Sequence, residues 1–343
     1  MTNKTAVIIG GTGAGGIPVV RELSKHNYNV RVLTRNPDDA HSKSLTSIPN
    51  VTLYAGDIKD VEALRAAFKG AHLAFVNLNS WVLGIKNEIF WGIRIFEIAV
   101  QCGIEHYIWS SLDNFFLETK YDDDLRVGHY YGKGHVEQWM TALPQTPMKW
   151  SIITTSPYIE SLWQAWHPRV LEDGTREFAL PLNDGAVPFT CIEEIGYYAR
   201  WVFEHPGESA GMNLKLAVEH VSLPMFAEAL TQVTGIPARS KNITIEEWIQ
   251  TGPFNTAQDF KMGSQSEPAD DPSLLTVAQN FSAWMRLYQR SGGNKGILRR
   301  DYALLDRIYP ERVKTLKEWM EKTNYKADKA KKVTMRPAWS AKY

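Results

Sequence analysis

Three glycines at a regular spacing are the first residues in the chain that suggest chemistry. Gly10, Gly13 and Gly16 lie in the segment GGTGAGG, between an apolar run at residues 6–9 and a helical pattern that starts at Ile17. The first N–H groups of a helix have no intrahelical partner, and the helix dipole makes this end positive. Because glycine has no side chain, a pyrophosphate could approach these N–H groups closely. The order strand, loop, helix predicts a nucleotide-binding loop, and a flexible turn is the alternative.

The residues after the second predicted strand indicate which dinucleotide would bind. Thr34, Arg35 and Asn36 stand where an NAD site usually carries an acid for the ribose 2′-hydroxyl. A guanidinium can bind a 2′-phosphate through two parallel hydrogen bonds, whereas a carboxylate would repel it. The sequence therefore favours NADP(H) over NAD(H) as the cofactor. A solvated arginine on the surface is the alternative.

A further cofactor position follows the third predicted strand, in the segment Gly56-Asp57-Ile58. The Asp57 carboxylate could accept a hydrogen bond from the adenine amino group while Ile58 packs on the ring. Asp57 could instead cap the helix that follows, although Asp60 is better placed for capping. Both interpretations remain open from the sequence.

Aromatic residues are numerous, with 12 Trp, 14 Tyr and 13 Phe, and several of them follow predicted strands. Loops at the carboxyl ends of parallel strands meet at one edge of a sheet. We therefore predict that four of these residues, together with one histidine, line a pocket for a planar, hydrophobic molecule: Trp81, Phe115, Trp163, Trp166 and His167. Packing inside the protein is the alternative for each of them.

The elements that would position these residues alternate regularly between strand and helix over residues 5–155. This spacing is typical of an α/β fold with a doubly wound, mostly parallel sheet and right-handed crossovers. We predict a nucleotide-binding domain at residues 1–156 and a smaller, mainly helical lobe for a substrate or partner at residues 157–325, interleaved with the sheet. Residues 326–343 are predicted to form a mobile tail.

Composition excludes several classes of function. Among the 343 residues, 38 Lys and Arg balance 38 Asp and Glu, so the chain lacks the basic field that nonspecific nucleic-acid binding requires. No segment approaches the roughly 20 apolar residues of a membrane span, and the start does not resemble a signal peptide. Cys102 and Cys191 give neither a disulfide framework nor a metal signature. We expect a cytoplasmic monomer or homodimer without a metal, and without membrane or direct nucleic-acid contact.

Several of these segments together resemble the NmrA-like family, a branch of the atypical short-chain dehydrogenases/reductases. The resemblance covers most of the chain and rests on GGTGAGG, VLTRNPDD, YAGDIKD, VNLNSW, GKGHVEQWM and RRDYALLDRIYPERVKTLKEWM. It implies a two-lobed, Rossmann-type protein that binds NADP(H). The implied and predicted cofactor contacts are Gly10, Thr12, Gly13, Gly15, Gly16, Arg35, Asp57, Ile58, Asn79, Lys133, Pro157 and Tyr158.

The resemblance also implies a catalytic pattern, from which this sequence departs. Short-chain dehydrogenases use Tyr-x-x-x-Lys, in which the tyrosine exchanges a proton and the lysine lowers its pKa and holds the ribose. Lys133 is present, but His129 occupies the position of the tyrosine. We predict that Lys133 holds the ribose, that His129 or Tyr130 moves the proton, and that Ser111 stands where the family's serine lies. A surface histidine, a buried tyrosine and a strand-end serine are the alternatives.

Two functions follow from these features. The first is an NADP(H)-dependent oxidoreductase that acts on a hydrophobic, aromatic small molecule, such as a fungal secondary metabolite, by redox or redox-neutral chemistry. The second is a redox sensor without catalysis, whose cofactor occupancy changes its affinity for a protein partner such as a transcription factor. The aromatic residues favour the enzyme, and the missing tyrosine favours the sensor.

Overall fold

The computed structural model describes residues 4–328, which form two compact units. The first unit comprises the described residues up to Asn114, together with Gly132–Thr154 and Ile192–Leu214. The second comprises Phe115–Tyr131, Thr155–Cys191 and the described residues from Lys215 onward. The division predicted at residue 156 lies close to the passage after Thr154. Two segments differ from the predicted division: residues 115–131 belong to the second unit, and residues 192–214 belong to the first.

Strands and helices alternate through the first half of the chain. The strands between residues 4 and 328 are β1 (Thr5–Ile9), β2 (Asn29–Thr34), β3 (Val51–Ala55), β4 (Leu73–Val76), β5 (His106–Leu112), β6 (Lys149–Thr155), β7 (Arg169–Val170), β8 (Arg176–Leu180), β9 (Ala186–Pro188), β10 (Asn213–Lys215), β11 (His220–Ser222) and β12 (Ala238–Asn242). The α-helices are α1 (Ile17–Lys25), α2 (Ala40–Leu45), α3 (Val61–Phe68), α4 (Ser80–Gln101), α5 (Gly128–Thr141), α6 (Glu194–Glu204), α7 (Pro206–Ser209), α8 (Leu223–Thr234), α9 (Ile245–Thr251), α10 (Val277–Gln289), α11 (Tyr302–Ile308) and α12 (Leu316–Thr323). Short 3₁₀ helices lie at Asp123–Leu125, Ile159–Trp163 and Gly293–Lys295.

The central sheet confirms the predicted α/β class. Its seven strands have the order β10-β6-β5-β4-β1-β2-β3, and β5, β4, β1, β2 and β3 are parallel to one another. Every residue of β1 and β4 is buried, as strands covered on both faces require. The chain adds strands in one direction from β1 to β3 and in the other from β4 to β6. The carboxyl ends of β1 and β4 therefore form the switch point, where open α/β sheets bind their ligands.

Helix α4 begins earlier than the sequence pattern indicates. The apolar periodicity predicts a helix over residues 86–102, but the structure has helix from Ser80, with an interruption at Gly84. The φ of Gly84 is 72° and its ψ is 173°, a conformation that glycine adopts readily and that breaks helical geometry. The first turn of α4 is therefore set apart from the rest of the helix.

Two small sheets and an aromatic core characterise the second unit. Strand β8 pairs in parallel with β12 and antiparallel with β7, while β9 pairs antiparallel with β11. The core rings include Trp166, Phe189, Phe226, Trp284 and Tyr288, with Trp166 edge-on to Phe189 at 5.2 Å between ring centroids. The predicted mainly helical character of the C-terminal region is confirmed by α8 to α12.

No helix in residues 4–328 combines the length and apolar character that a bilayer crossing requires. Within the same residues, no three His, Cys, Asp or Glu side chains are grouped closely enough to hold a metal ion. Most of the predicted mobile tail, from residue 329 onward, lies outside the described residues. Of its first residues, Ala327 is buried and its carbonyl accepts a hydrogen bond from the Arg176 Nε at 3.2 Å.

His106 of β5 is a buried titratable group in the first unit. The Ser151 hydroxyl donates its proton to the Ser209 carbonyl at 2.6 Å. The His106 Nε2 lies 2.8 Å from the same hydroxyl and must therefore donate a hydrogen bond to the hydroxyl oxygen. The Nδ1 atom is therefore unprotonated, buried and without a hydrogen-bond partner among the described residues. Burial, with smaller contributions from the positive charges of Lys149 and Lys4, lowers the pKa of His106 to about 4.

This lowered pKa predicts a loss of stability in acid. An unfolded histidine has a pKa near 6.5, so the unfolded state binds more protons than the folded state between pH 6.5 and 4. The contribution of His106 to the free energy of unfolding is fully present above pH 6.5. It is lost as the pH falls from 6.5 to 4, and the loss amounts to about 3 kcal/mol. Urea unfolding across this range should show a shallower pH dependence for His106→Gln than for the unmodified protein. The same substitution at the exposed His26 should keep the original slope, and equal slopes for all three proteins would contradict the assignment.

Candidate functional site

The loop between β1 and α1 is shaped by its own backbone. The Gly13 N–H donates to the Gly10 carbonyl and the Ile17 N–H to the Gly13 carbonyl, both at 3.0 Å. Gly10 has a φ of 80°, in the region that favours glycine. Gly13 is exposed and Thr12 is half-buried, whereas Gly15 and Gly16 are buried. The exposed middle of the loop leaves room for a ligand beside the start of α1.

Close backbone packing explains the first and last glycines of the loop. A Cβ at position 16 would lie 2.1 Å from the Gly10 carbonyl oxygen and 2.8 Å from the Gly11 Cα. A Cβ at position 10 would lie 2.2 Å from the Asn77 carbonyl oxygen. Since these neighbours are mostly backbone atoms, a side chain at either position would displace the loop. The loop is therefore pressed against the residue that follows β4.

Arg35 lies beyond the end of β2, beside Asp57. The distance from the Arg35 Nε to the Asp57 Oδ2 is 3.8 Å, and the two side chains are 62% and 37% exposed. An exposed pair at this distance contributes little to stability, so the guanidinium can exchange its partner for another anion.

The helix-capping alternative for Asp57 is resolved by Asp60. The Asp60 Oδ1 accepts from the backbone N–H groups of Glu62 and Ala63, at 2.9 and 3.1 Å, and so caps α3. Asp57 accepts instead from the Lys59 N–H at 2.8 Å, within the loop. Ile58 is partly buried against the core of the first unit. Asp57 is therefore not needed for the start of α3.

Lys133 of α5 lies at the carboxyl ends of β4 and β5. Its Nζ is 3.1 Å from the Asn77 Oδ1, 2.9 Å from the Leu78 carbonyl and 3.4 Å from the Ser110 carbonyl. The Glu88 Oε1 lies 3.2 Å from the same Nζ, and Lys133 is only 6% exposed. The ammonium group that the sequence assigns to the ribose is thus enclosed by oxygen atoms of the protein itself.

Glu88 is wholly buried. Its carboxylate fits at this position because α5 has no side chain at Gly132 and because α4 is interrupted at Gly84. A Cβ at Gly132 would lie 2.3 Å from the Glu88 Oε2, so the carboxylate rests on the surface of α5 where a side chain is missing. Ser80 lies close enough to the carboxylate to affect its pKa. Eight residues of unbroken helix span about 12 Å, so this contact depends on the interruption at Gly84. Burial raises the pKa of Glu88, opposed by the Lys133 charge and by the hydrogen bonds from Ser80 and Lys133.

The first residues of α5 are held by Asn280 of α10. The Asn280 Oδ1 accepts from the Gly128 N–H at 2.8 Å, and the His129 Nδ1 lies 3.0 Å from the Asn280 Nδ2 and 3.2 Å from the Asn280 Oδ1. Tyr130 is 1% exposed, and its hydroxyl lies 2.8 Å from the Tyr288 hydroxyl and accepts from the Trp284 Nε1 at 3.2 Å. This environment favours a packing role for Tyr130 and leaves His129 as the more accessible of the two.

The other predicted polar positions are distributed over both units. Asn79 caps α4, because its Oδ1 accepts from the Trp81 N–H at 3.1 Å. Ser111 is buried, and its hydroxyl donates to the Leu112 carbonyl at 3.1 Å. In the second unit, Pro157 and Tyr158 are half-buried, and burial raises the pKa of Tyr158 to about 12. Their roles toward a cofactor stay predictions.

The aromatic residues predicted to line a pocket lie mostly against other rings. Trp166 is 1% exposed and stacks on Phe226, with 6.1 Å between ring centroids. Phe115 is equally buried, edge-on to Phe116. Trp163 packs on Trp319 at 4.9 Å. These contacts, all within the second unit, favour packing as their role.

The two remaining predicted pocket residues are partly accessible. Trp81 is half-buried, in the first turn of α4 in the first unit. His167 is also half-buried, and its Nδ1 donates to the Pro168 carbonyl at 2.9 Å. Burial lowers the pKa of His167, with a further contribution from Arg176.

Sequence reasoning missed three residues of this region: Asn77, Glu88 and His41. Asn77 connects Gly10 to Lys133, and the His41 Nε2 donates to the Thr12 carbonyl at 2.9 Å. For Glu88 the sequence offers one signal, since it is the sole carboxylate between Ser80 and Phe96 in a mostly apolar stretch. Nothing local in the sequence indicates the roles of Asn77 and His41.

The fold and the loop define a class of protein. A doubly wound parallel sheet whose first strand passes through a glycine loop into the first helix is a Rossmann-type fold. The chain belongs to the NmrA-like family, whose model matches residues 2–267.

Relatives and solved structures agree with this membership. An NmrA-like family domain-containing protein of Dictyostelium discoideum is 21% identical over 337 residues, which are 95% of this chain and 100% of that protein. The nitrogen metabolite repression protein nmrA of Emericella nidulans is 27% identical over 64% of this chain and 62% of its own length. The NmrA-like family domain-containing oxidoreductase notA′ of Aspergillus versicolor is 37% identical over 129 residues, 35% of each chain.

Two solved structures share the fold at low sequence identity. NmrA, described as a negative transcriptional regulator and crystallised in complex with NADP, superimposes with a TM-score of 0.61 at 20% identity, over 95% of this chain and 98% of that one. The quinone oxidoreductase QOR2 of Escherichia coli, complexed with NADPH, gives a TM-score of 0.68 at 18% identity, over 93% and 99%.

The loop geometry predicts a steric effect of one methyl group. Gly16→Ala places a Cβ against the backbone of Gly10 and should lower the free energy of unfolding by about 2 kcal/mol, a typical cost of overpacking. Gly207→Ala is the control, because a Cβ at that position of α7 meets no atom within 4 Å. Urea unfolding should show a lower midpoint for Gly16→Ala only. A midpoint equal to that of the control would mean that the loop is not packed as described.

Proposed function

We propose that this protein binds NADP(H) and acts as an oxidoreductase on a hydrophobic small molecule. The observation that carries the proposal is the arrangement at the switch point of the first unit. There a glycine loop whose middle residue, Gly13, is exposed leads into α1, and Arg35, rather than an acid, follows β2. The fungal relatives that are named oxidoreductases and the NADPH-complexed quinone oxidoreductase support a redox reaction.

The residues present fit an NADP(H) cofactor. The glycine loop leads into the first turn of α1, and Gly13 in its middle is exposed, so the backbone there can approach a pyrophosphate. Arg35 is exposed and held only at 3.8 Å by Asp57, so its guanidinium can turn to a 2′-phosphate. His41 steadies the loop through the Thr12 carbonyl. We assign pyrophosphate binding to the loop and 2′-phosphate binding to Arg35.

Bound NADPH supplies a hydride, and reduction of a carbonyl, quinone, imine or conjugated alkene also needs one proton. The chain offers His129 for this proton, since it occupies the tyrosine position four residues before Lys133 on α5 and is partly exposed. Trp81 is the half-buried aromatic residue next to the end of β4, and we assign it to the substrate. A metabolite with an aromatic ring, such as a fungal secondary metabolite, has the chemistry that this residue would contact.

A sensor without catalysis is the second candidate. It is favoured by the enclosure of Lys133, whose ammonium contacts oxygen atoms of Asn77, Leu78, Ser110 and Glu88. A lysine so engaged is poorly placed to lower the pKa of a neighbouring proton donor. The structurally similar NmrA is described as a negative transcriptional regulator. In a sensor of this kind, cofactor binding would change the affinity of the protein for a protein partner.

Removal of the Arg35 guanidinium tests the cofactor. Arg35→Ala should weaken NADPH binding by roughly 10- to 100-fold, because charge-assisted hydrogen bonds to the 2′-phosphate are lost, and should leave NADH binding unchanged. Arg21→Ala is a matched control, since Arg21 is 60% exposed and lies 3.8 Å from Glu193. Titration calorimetry with both dinucleotides measures the four affinities. An equal loss for NADPH and NADH would contradict a 2′-phosphate contact.

Turnover distinguishes the enzyme from the sensor. We expect the purified protein to oxidise NADPH in the presence of hydrophobic quinones or aromatic aldehydes, and His129→Gln to slow this reaction at least about 100-fold. His135→Gln, six residues further along α5, should keep the rate of the unmodified protein. NADPH and NADP⁺ binding without turnover of any of these substrates would favour the sensor. If neither dinucleotide bound, the proposed function would be wrong as a whole.

A further inference from the structure

The buried Glu88–Lys133 pair is the feature that the proposed reaction leaves without a role. Glu88 is 0% exposed and Lys133 is 6% exposed, with 3.2 Å between the Oε1 and Nζ atoms. An ammonium needs three acceptors, and Asn77, Leu78 and Ser110 already supply three oxygen atoms. The carboxylate is therefore not required to satisfy the lysine. What it adds is a negative charge that cancels the positive one.

The position of the pair in the fold indicates which part of a dinucleotide would sense this charge. Asn77 contacts Gly10 of the loop through its backbone and Lys133 through its side chain. In the strand order, β2 and β3 lie on one side of β1, so Arg35 and Asp57, which follow them, lie on that side of the loop. Lys133 lies on the other side, at the carboxyl ends of β4 and β5. A dinucleotide with its 2′-phosphate on Arg35 and its pyrophosphate on the loop extends its nicotinamide half toward β4 and β5.

The two forms of this half differ in charge. The nicotinamide ring carries a positive charge in NADP⁺ and none in NADPH. In a poorly hydrated region an uncompensated ammonium disfavours a second cation, whereas a neutral ion pair does so far less. The charge balance at Lys133 is thus a means of selecting between the two redox forms.

We propose that Glu88 sets the preference of the protein between NADP⁺ and NADPH by neutralising Lys133, an inference that rests on the proposed cofactor. With Glu88 present, the region is neutral and accepts the oxidised form. Without its charge, the same region carries a net positive charge and selects the reduced form. Glu88 is a positioning residue that acts through Lys133, and it determines specificity for the redox state.

Removal of the carboxylate charge is the first test. Glu88→Gln keeps the size of the side chain, and Lys133 keeps three oxygen acceptors and hence its charge. The ratio of the Kd for NADP⁺ to the Kd for NADPH should rise on the order of tenfold. Glu88→Gln combined with Lys133→Met removes both charges and should return the ratio to within about twofold of the unmodified protein. Glu177→Gln, which removes a buried carboxylate paired with Arg239 in the second unit, is the control.

A variant of opposite sign tests the proposal even if Glu88→Gln fails to fold. Asn77 is half-buried, so Asn77→Asp adds a negative charge beside Lys133 without burying it completely. The same ratio should then fall by roughly threefold or more, because the region now carries a net negative charge. Calorimetry with NADP⁺ and NADPH gives both constants for each protein.

A purely structural role of Glu88 predicts a different result. Loss of packing or of local order would weaken both redox forms by the same factor and leave the ratio unchanged. An unchanged ratio in Asn77→Asp, or in a folded Glu88→Gln, would therefore overturn this inference while the proposed function stood. Failure of the unmodified protein to bind either form would overturn both.

Discussion

An ammonium group can be buried in a protein only where oxygen atoms surround it, and this requirement at Lys133 organises the carboxyl edge of the central sheet. The residues after β4, the end of β5, and α4 each supply acceptors, so these three elements must meet at Lys133 of α5. Glu88 can approach only because Gly132 has no side chain, and Ser80 can contact Glu88 only because α4 is interrupted at Gly84. The glycine loop takes its position from the same arrangement, since Gly10 packs against the carbonyl of Asn77.

The aromatic residues illustrate how composition and location differ. A high content of Trp, Tyr and Phe is compatible with a ligand pocket and with an aromatic core, because both bury flat, apolar surface. The structure places Trp166 and Phe115 inside ring clusters of the second unit, where their large buried areas stabilise that unit. Trp81 is different, since it lies half-buried in the short first turn of α4 that Gly84 sets apart. The case for a hydrophobic substrate therefore depends on Trp81 and on the relatives more than on the number of aromatic residues.

Local signals in the sequence were sufficient to predict the fold and part of the candidate site. Strand periodicity, the glycine loop and the capping position of Asp60 all depend on neighbours within a few residues, and each was found in the structure. Contacts between distant segments could not be predicted in this way. Glu88 and Lys133 are 45 residues apart and Asn280 lies 151 residues beyond His129, so their pairing depends on helix packing that no short pattern records. The start of α4 was misplaced for a related reason, because a glycine with positive φ inside a helix interrupts the periodicity on which the prediction relied.

The division of the chain into two units has a consequence for how the protein is made. The chain passes from one unit to the other five times, after residues 114, 131, 154, 191 and 214, and α5 itself contains one of these passages. Strand β10, at an edge of the central sheet, is synthesised after two segments of the second unit, Phe115–Tyr131 and Thr155–Cys191. Neither unit is therefore a continuous segment of the chain, and neither can be produced alone as a single uninterrupted fragment. A C-terminal truncation would remove helices of the second unit and leave the segments of the first unit complete.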